Sequence, residues 1–194
     1  NSDYDDEGYN LGDDKFITFE NFSFVNNEFP AETENGFCDD VKPIFDLSTN
    51  TNFINSTIVN NTWNSLSENC NVSFNTSQII FQSNKLHNIN NTILSRQTET
   101  GLPLIYISSG SLNITYSNLI QGQNIINYNL NSASLTIDDN TIFEDPLFID
   151  AENTNYNLQS SSPCIDSGDP SITNEDGTIS DMGAFPYYHD YVLL

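Results

Sequence analysis

Apolar and polar residues alternate along several short stretches of this chain, and these stretches recur at regular intervals. The phrase NFSFVNN at residues 21–27 returns as NSTIVNN at residues 55–61, an offset of 34 residues. Further offsets of 35, 25 and 23 residues align 54–59 with 89–94, 79–94 with 104–119, and 111–120 with 134–143. Repetition of this kind is typical of architectures built from stacked units. The pattern therefore predicts one unit repeated about five times, with insertions in the two longer copies.

Each repeat is predicted to form short strands rather than helices. The units are rich in Ile, Val, Phe, Tyr and Thr, and Leu112 and Ile114 alternate with polar neighbours as strand residues do. No helical segment separates the strands, so successive units are expected to stack in parallel, ~4.8 Å apart. The predicted fold is all-β: a right-handed parallel β-helix of about five or more coils with an irregular C-terminal capping segment.

Stacked coils place equivalent residues in columns. The offsets predict an inward core ladder of Ile89, Ile114 and Ile137, each buried against the next coil. They also predict an asparagine ladder at one corner, where stacked amides can hydrogen-bond along the axis. The members of this asparagine ladder are expected to be Asn21, Asn55 and Asn90.

The chain is of single-domain size, and its pattern divides it into three parts. We expect an acidic leader at residues 1–14, β-helix coils at 15–148, and a C-terminal capping segment with a tail at 149–194. No apolar run approaches the ~20 residues that a membrane span needs. The sequence has no initiator Met and no signal peptide, which predicts a mature or excised product.

The formal net charge of −23 comes from 27 acidic residues set against 4 Lys and Arg residues. Nucleic acid and anionic lipid both require Lys or Arg to displace counterions, so neither is expected as a partner. A strongly acidic surface suits salty water or divalent cations, although it can also be a merely solvated surface.

Three cysteines are present. Cys38 and Cys70 each lie in a long insertion that follows the VNN phrase, and stacked coils bring these insertions side by side. We therefore expect a disulfide between Cys38 and Cys70, in an oxidising extracellular setting. Cys164 is then left over, and we expect a buried free thiol at the end of the coil.

The C-terminal third carries a different set of motifs. They are YSNLIQG at 116–122, DPLF at 145–148, SPCIDSGDP at 162–170 and DGTISDMGAF at 176–185. In this order the motifs resemble the closing segment of secreted bacterial right-handed parallel β-helix surface proteins, over about residues 105–188. Ser167 stands where those proteins usually have Ala. The resemblance implies a pectate-lyase-like shape and an extracellular or cell-surface location, but no particular activity.

Oxygen-bearing side chains concentrate around two glycines in residues 166–181. Calcium takes six to eight oxygens from carboxylates, amides and carbonyls in turn-rich segments, so this segment is a candidate calcium site. The alternative is that the same side chains cap turns by accepting backbone N–H groups. No organic cofactor is indicated. The candidate calcium ligands are Asp166, Asp169, Asn174, Asp176 and Asp181.

The groups that β-helix carbohydrate enzymes use for acid–base chemistry are not found in a suitable pattern. A lyase needs cations on neighbouring coils, whereas Lys85 and Arg96 fall within one coil. Asp138 and Asp139 could mimic the carboxylate pair of a glycoside hydrolase, but the basic and His-containing motifs that accompany this pair in pectin hydrolases are absent, so a solvated corner is the favoured explanation. His87 aligns with leucines and is expected to be structural. The sequence predicts no enzymatic activity, with a lyase-like or hydrolase-like protein as the alternative.

The remaining signals favour a non-enzymatic extracellular structural protein. Unpaired strand edges at the ends of a β-helix can template another copy, which predicts head-to-tail association into an oligomer or filament. The C-terminal segment is expected to cover one end and leave the first coil open. The alternative is a polysaccharide-binding module that uses exposed Tyr and Trp63, although no aromatic stripe runs through the aligned repeats.

Overall fold

The described part of the chain is almost entirely β-structure. The computed structural model describes residues 15–30, 43, 45–64, 78–95 and 103–189. Within these ranges the helical elements are two short 3-10 helices, Gly122–Ile125 and Ala151–Asn153. A helix long and apolar enough to cross a membrane does not occur in these ranges.

Three parallel sheets hold most of the strands, which are numbered along the chain. Sheet I has the spatial order β1 (Phe16–Glu20), β5 (Asn50–Ile54), β9 (Lys85–Asn90), β12 (Gly110–Thr115) and β15 (Ala133–Ile137). Sheet II has the order β2 (Ser23–Val25), β6 (Thr57–Val59), β10 (Ile93–Leu94) and β13 (Asn118–Leu119). Sheet III has the order β4 (Phe45–Leu47), β8 (Ile79–Phe81), β11 (Ile105–Ile107) and β14 (Ile126–Tyr128).

Two smaller strand pairs complete the β-structure. One is the parallel pair of β3 (Glu28–Pro30) and β7 (Thr62–Asn64). The other is the antiparallel pair of β16 (Phe148–Asp150) and β17 (Asn155–Leu158). The parallel arrangement thus ends before Phe148, where an antiparallel hairpin begins. The last parallel contact along the chain is the bridge between Asn118 and Ile142, and Ile142 lies six residues before the predicted boundary at 148.

The chain visits the three sheets in a fixed order, and we call one pass through sheets I, II and III a circuit. The passes run β1, β2, β4; then β5, β6, β8; then β9, β10, β11; then β12, β13, β14, after which β15 returns to sheet I. Strands of successive circuits pair directly with one another in parallel, and the described connections between them contain no helical crossover. This order is compatible with a β-helix.

The core lies between the three sheets and is built from columns of aligned side chains. In sheet I, Ile89 pairs with Ile114, and Ile114 pairs with Ile137, so the structure brings the three predicted core residues into one inward column. Phe53 and Phe19 extend the column toward the first strand. Ile89 and Ile114 are buried, whereas Ile137, on the last strand, is half-buried against the core.

The asparagine ladder differs from the prediction by one residue. Asn21 and Asn55 are equivalent, because Glu20 pairs with Ile54. However, Ile54 pairs with Asn90, so the residue that follows Asn55 in the ladder is Asn91 rather than Asn90. Asn91 Nδ2 donates to Asn55 Oδ1 at 3.0 Å. The corner favours asparagine because the backbone there is left-handed, with φ of 51°, 47° and 50° at positions 21, 55 and 91.

Candidate functional site

The C-terminal segment, residues 145–189, lies along the outer face of sheet II. It packs on Val59 and Ile93, which point away from the core, and it buries Tyr156, Leu158, Cys164 and Met182 against them. Strands β6 and β10 are consequently buried on both faces. The prediction that this segment covers an end of the stack is therefore wrong, because the segment covers its side.

Specific contacts fix the segment to three successive circuits. The Tyr156 hydroxyl donates to Asn26 Oδ1 at 2.5 Å and accepts from Asn60 Nδ2 at 3.0 Å. Gly183 has a φ of +103°, and a Cβ at this position would lie 2.8 Å from Ile93 Cδ1. Only glycine combines this backbone conformation with so close an approach. These contacts make the segment a brace that runs across the circuits.

Two of the candidate calcium ligands cap turns. Asp169 Oδ1 accepts from the Ser171 N–H at 2.9 Å and from its hydroxyl at 2.7 Å. Asp176 Oδ1 accepts in the same way from the Thr178 N–H at 3.0 Å and hydroxyl at 2.8 Å. In both cases these hydrogen bonds favour the charged carboxylate and hold its pKa below the usual value.

The other candidate ligands also have protein partners. Asp181 is buried, and its Oδ1 accepts from the Asp166 N–H at 2.7 Å. Burial raises the pKa of the Asp181 carboxyl, since the charged form loses its water. The Asp166 carboxylate lies 3.2 Å from His189 Nε2. The Asn174 amide donates to the Ile179 carbonyl at 3.2 Å.

The candidate carboxylates do not form a recognisable metal-binding group in the described residues. Within the described ranges, no group of three or more His, Cys, Asp or Glu side chains is arranged to hold a metal ion. Asp169 and Asp176 are bonded within their own turns, Asn174 and Asp181 are bonded to backbone groups, and Asp166 lies beside the His189 side chain. Of the two alternatives that the sequence leaves open, this geometry favours turn capping. Calcium binding by the segment stays a prediction.

Of the three cysteines, Cys164 is among the residues that the structure describes. Cys38 and Cys70, the predicted disulfide, lie outside the described residues, so their pairing stays a prediction. Cys164 is a free, buried thiol, as predicted, although it packs beside sheet II rather than at the end of the stack. Its Sγ accepts from Asn118 Nδ2 at 3.3 Å, and burial raises the pKa of the thiol to about 11. Such a thiol stays protonated and unreactive at neutral pH.

The outward face of sheet I carries a ladder of amides. Asn113 Nδ2 donates to Asn88 Oδ1 at 3.1 Å, and Asn88 Nδ2 donates to Asn52 Oδ1 at 2.9 Å. Thr18 and Thr136 occupy the two ends of the same column. The amides are directed to one another along the stack, so the ladder links neighbouring circuits rather than presenting free groups to a sugar.

Phenylalanine side chains cluster at the end of the stack that the first circuit forms. Phe19 stacks on Phe53 with ring centroids 4.8 Å apart, and Phe22, Phe24 and Phe45 complete an aromatic cluster. Strand β1 pairs only with β5 among the described strands, so one of its two edges has no strand partner there. Ile17 of β1 occupies an inward column yet is 39% exposed. This end therefore combines an open strand edge with incompletely buried apolar side chains.

At the opposite end of the stack, too, the described residues leave a strand edge unpaired. Strand β15 is the other edge of sheet I, and in the described residues no strand of sheet III follows it. A cavity of about 570 Å³ lies there, lined in part by Ile126, Tyr128, Leu135 and Ile137. These residues occupy the last positions of inward columns. The cavity is therefore the mouth of the core, which the C-terminal segment leaves uncovered.

His87 is the most unusual residue of the core. It pairs with Leu112 in an inward column of sheet I, is fully buried, and stacks on Phe81 with ring centroids 4.2 Å apart. Neither ring nitrogen has a partner of hydrogen-bonding geometry within the described chain. Burial lowers the pKa of His87 to about 4. The backbone of Gln82 raises this pKa, but by less than burial lowers it. His87 is thus neutral near pH 7 and has no access to a substrate.

The remaining candidates for catalysis are not assembled into a site. Lys85 pairs with Gly110 at the start of its strand, and Arg96 lies outside the described residues. The Asp138 carboxylate is part of a corner, where Oδ1 accepts from the Thr141 hydroxyl at 2.7 Å. This hydrogen bond gives Asp138 a structural role at the corner, which agrees with the explanation of Asp138 as a corner residue rather than a hydrolase carboxylate.

Comparisons with known proteins give no identification: no protein-family model, no curated protein and no solved structure matches this chain. The resemblance of residues 105–188 to secreted β-helix proteins therefore stays a prediction based on its motifs.

Sequence reasoning missed the residues that hold the C-terminal segment in place. Asn91 is the main one: its Oδ1 accepts from the Asp169 N–H at 2.7 Å, and its Nδ2 donates to Ser180 Oγ at 2.7 Å. Tyr156 and Gly183 were missed as well. A signal was available, because the strand TIV (Thr57–Val59) has consecutive rather than alternating apolar residues, and such runs indicate strands buried on both faces.

Proposed function

We propose that this chain is a right-handed parallel β-helix that acts as a non-enzymatic extracellular structural protein and associates head to tail. The observation that carries the proposal is the state of the two ends of sheet I. Each end has a strand with an unpaired edge among the described strands, and each exposes apolar side chains of the core columns. Natural sheets usually cover, shorten or charge such edges, because an open edge accepts another strand.

A head-to-tail contact joins two different surfaces of the same chain. Such a contact does not close on itself when the two surfaces lie at opposite ends, so it produces an open filament rather than a dimer. Sheet I presents its two edges at opposite ends of one five-stranded order, with β1 first and β15 last. The brace formed by residues 145–189 supports this role, because it stiffens the side of the stack and leaves both ends accessible.

The high negative charge supports regulated rather than spontaneous association. Copies with a formal net charge of −23 each repel one another. This repulsion is screened over a Debye length of about 8 Å at physiological ionic strength. Association is therefore expected in salt or with divalent cations, including calcium, and not at low ionic strength. The secreted location is part of the proposal and rests on the motif resemblance and on the expected disulfide.

The proposal is tested by light scattering and negative-stain electron microscopy across NaCl and CaCl2 concentrations. Filaments are expected at high salt for the full chain, and removal of residues 1–14 is expected to change the salt that is needed. Ile17→Lys places a charge in the proposed contact and should abolish association. Ile149→Lys is the matched control, since Ile149 is 54% exposed but lies on β16, which pairs with β17 and is not part of sheet I. A monomer under every condition would overturn the proposal.

A further inference from the structure

We propose that the head-to-tail contact continues sheet I in register, with β15 of one copy beside β1 of the next, and that Glu20 and Asp138 oppose it. The inference rests on the proposed function and deepens it by naming the partner surface and the residues that regulate it. The occupant of each open edge is a second copy of this chain, because the columns of sheet I match across the junction.

The register follows from the pairings within one copy. Two inward columns of sheet I begin with a residue of β1 and end with a residue of β15. One column begins at Phe19 and ends at Ile137, and the other begins at Ile17 and ends at Leu135. If the next copy continues the sheet, Leu135 meets Ile17 and Ile137 meets Phe19. Both inward contacts are apolar on apolar, and they bury side chains that are incompletely buried in one copy.

The outward face also matches at its central column. Thr136 ends the amide ladder of one copy, and Thr18 begins the ladder of the next. The two threonines would stand side by side, as neighbouring members of the ladder do within one copy. A slip of one residue would set the inward-facing Leu135 and Ile137 beside the outward-facing residues of the next copy and would mismatch the two faces, so the in-register contact is strongly preferred.

One column carries a mismatch. Glu20 begins the outward column at the corner, and Asp138 ends it, since Thr115 of β12 is the neighbour of Asp138 in register. Between them stand the uncharged residues Ile54, Asn90 and Thr115. At the junction two carboxylates would lie on adjacent strands, ~5 Å apart, where like charges repel. The contact thus contains a local repulsion between Glu20 and Asp138, in addition to the repulsion that results from the net charge of the two copies.

Disulfide trapping tests the register. Neighbouring strands place Thr18 and Thr136 of two copies ~5 Å apart, within the Cα separation of a disulfide, so a mixture of Thr18→Cys and Thr136→Cys should form a covalent dimer. Ser134→Cys is the matched control, because Ser134 is on the same strand and the same face but two residues away, beyond disulfide reach. Each variant alone, under the same mild oxidation, controls for the native cysteines.

Charge variants test the opposition. Glu20→Gln and Asp138→Asn should each tighten association roughly three- to tenfold at a fixed moderate salt concentration, and combining them should add little, since one change already removes the repulsion. Glu144→Gln removes one charge from an exposed position outside the column and serves as the control. Equal effects in all three variants would show that only net charge matters and would overturn the charge opposition.

The outcomes separate this inference from the proposed function. If no variant and no condition produces association, the proposed function itself is wrong. If association occurs but Thr18→Cys cross-links equally well to Ser134→Cys, or to neither partner, the in-register junction is wrong while the structural role stands. Cross-linking to Thr136→Cys alone is the result expected.

Discussion

The replacement His87→Leu should stabilise the fold. His87 buries an imidazole whose two nitrogens have no partner of hydrogen-bonding geometry in the described chain. A buried polar group left without a partner costs about 1–3 kcal/mol. Leucine stands at the same place in the next two strands, at Leu112 and Leu135, so the position accepts it. We expect the unfolding free energy at pH 7 to rise by about 1–3 kcal/mol, and Tm by several degrees.

The pH dependence provides a second and more specific readout. The folded state holds the pKa of His87 near 4, whereas the unfolded chain titrates at about 6.5. Between these values the unfolded state binds the proton and the folded state does not, so stability falls as the pH falls from 7 to 4. The loss attributable to His87 is ~3 kcal/mol. Stability at pH 7 is thus partly conditional on a neutral imidazole.

The assay is urea unfolding followed by circular dichroism at several pH values between 4 and 8. In His87→Leu the contribution of this group to the slope should vanish, while Asp181 and the other carboxyls titrate in both proteins and cancel in the difference. Ile105→Val is the control, because Ile105 is fully buried in sheet III and carries no titratable group, so its replacement should leave the slope unchanged. A less stable His87→Leu protein with an unaltered pH slope would show that the imidazole is bonded and would refute this reasoning.

Three further predictions concern stability. Ile114→Asp buries an unpaired charge at a cost of several kcal/mol against a total of ~5–15 kcal/mol, so it should prevent folding, and a soluble variant with a cooperative melt would show that the core column is wrong. Gly183→Ala forces a Cβ against the core at a left-handed position, and we expect at least ~1 kcal/mol of destabilisation by urea unfolding, with an unchanged melt counting against the docking described. Chelation with EDTA should leave the Tm unchanged, while Asp176→Ala should lower it through loss of the turn cap; a fall in Tm with EDTA would instead favour the calcium alternative.

The repeat offsets predicted much of sheet I. The offset of 34 residues reproduces the pairing of β1 with β5, and the offset of 23 residues reproduces the pairing of β12 with β15. Both alignments worked because apolar residues of the same face were matched. In these two alignments, similarity of residue type was enough to place a residue in its column.

The error at Asn90 has a physical cause. The offset of 35 residues matched Ile54 with Ile89 because both are isoleucine, yet Ile54 faces outward and Ile89 faces the core. Equivalent residues of β5 and β9 are 36 positions apart, as in the pairing of Ile54 with Asn90 and the bond from Asn91 to Asn55, so the chain between the two strands holds one residue more than the alignment assumed. Because strand side chains alternate in direction, a slip of one residue exchanges the two faces. Similarity of residue type could not reveal the extra residue.

The place of the C-terminal segment was harder to predict. Its turn chemistry could be read from the sequence, and the capping roles of Asp169 and Asp176 follow from the Asp, Ser, Thr and Gly residues around them. Its docking depends on side chains far away in sequence, such as Asn26 and Asn91, whose contacts become visible only when the circuits are stacked. A single sequence contains no direct record of such long-range partners.

The central claim, head-to-tail continuation of a parallel β-helix, is tested most directly by the axial repeat of assembled filaments. Each copy contributes five strands to sheet I, and strands lie ~4.8 Å apart, so an unbroken junction adds ~24 Å per copy. Cryo-electron microscopy of filaments formed at high salt should therefore show an axial rise of ~24 Å per subunit, with the strands perpendicular to the axis. A filament with a clearly different rise, or particles that stay monomeric at high protein and salt, would contradict the account.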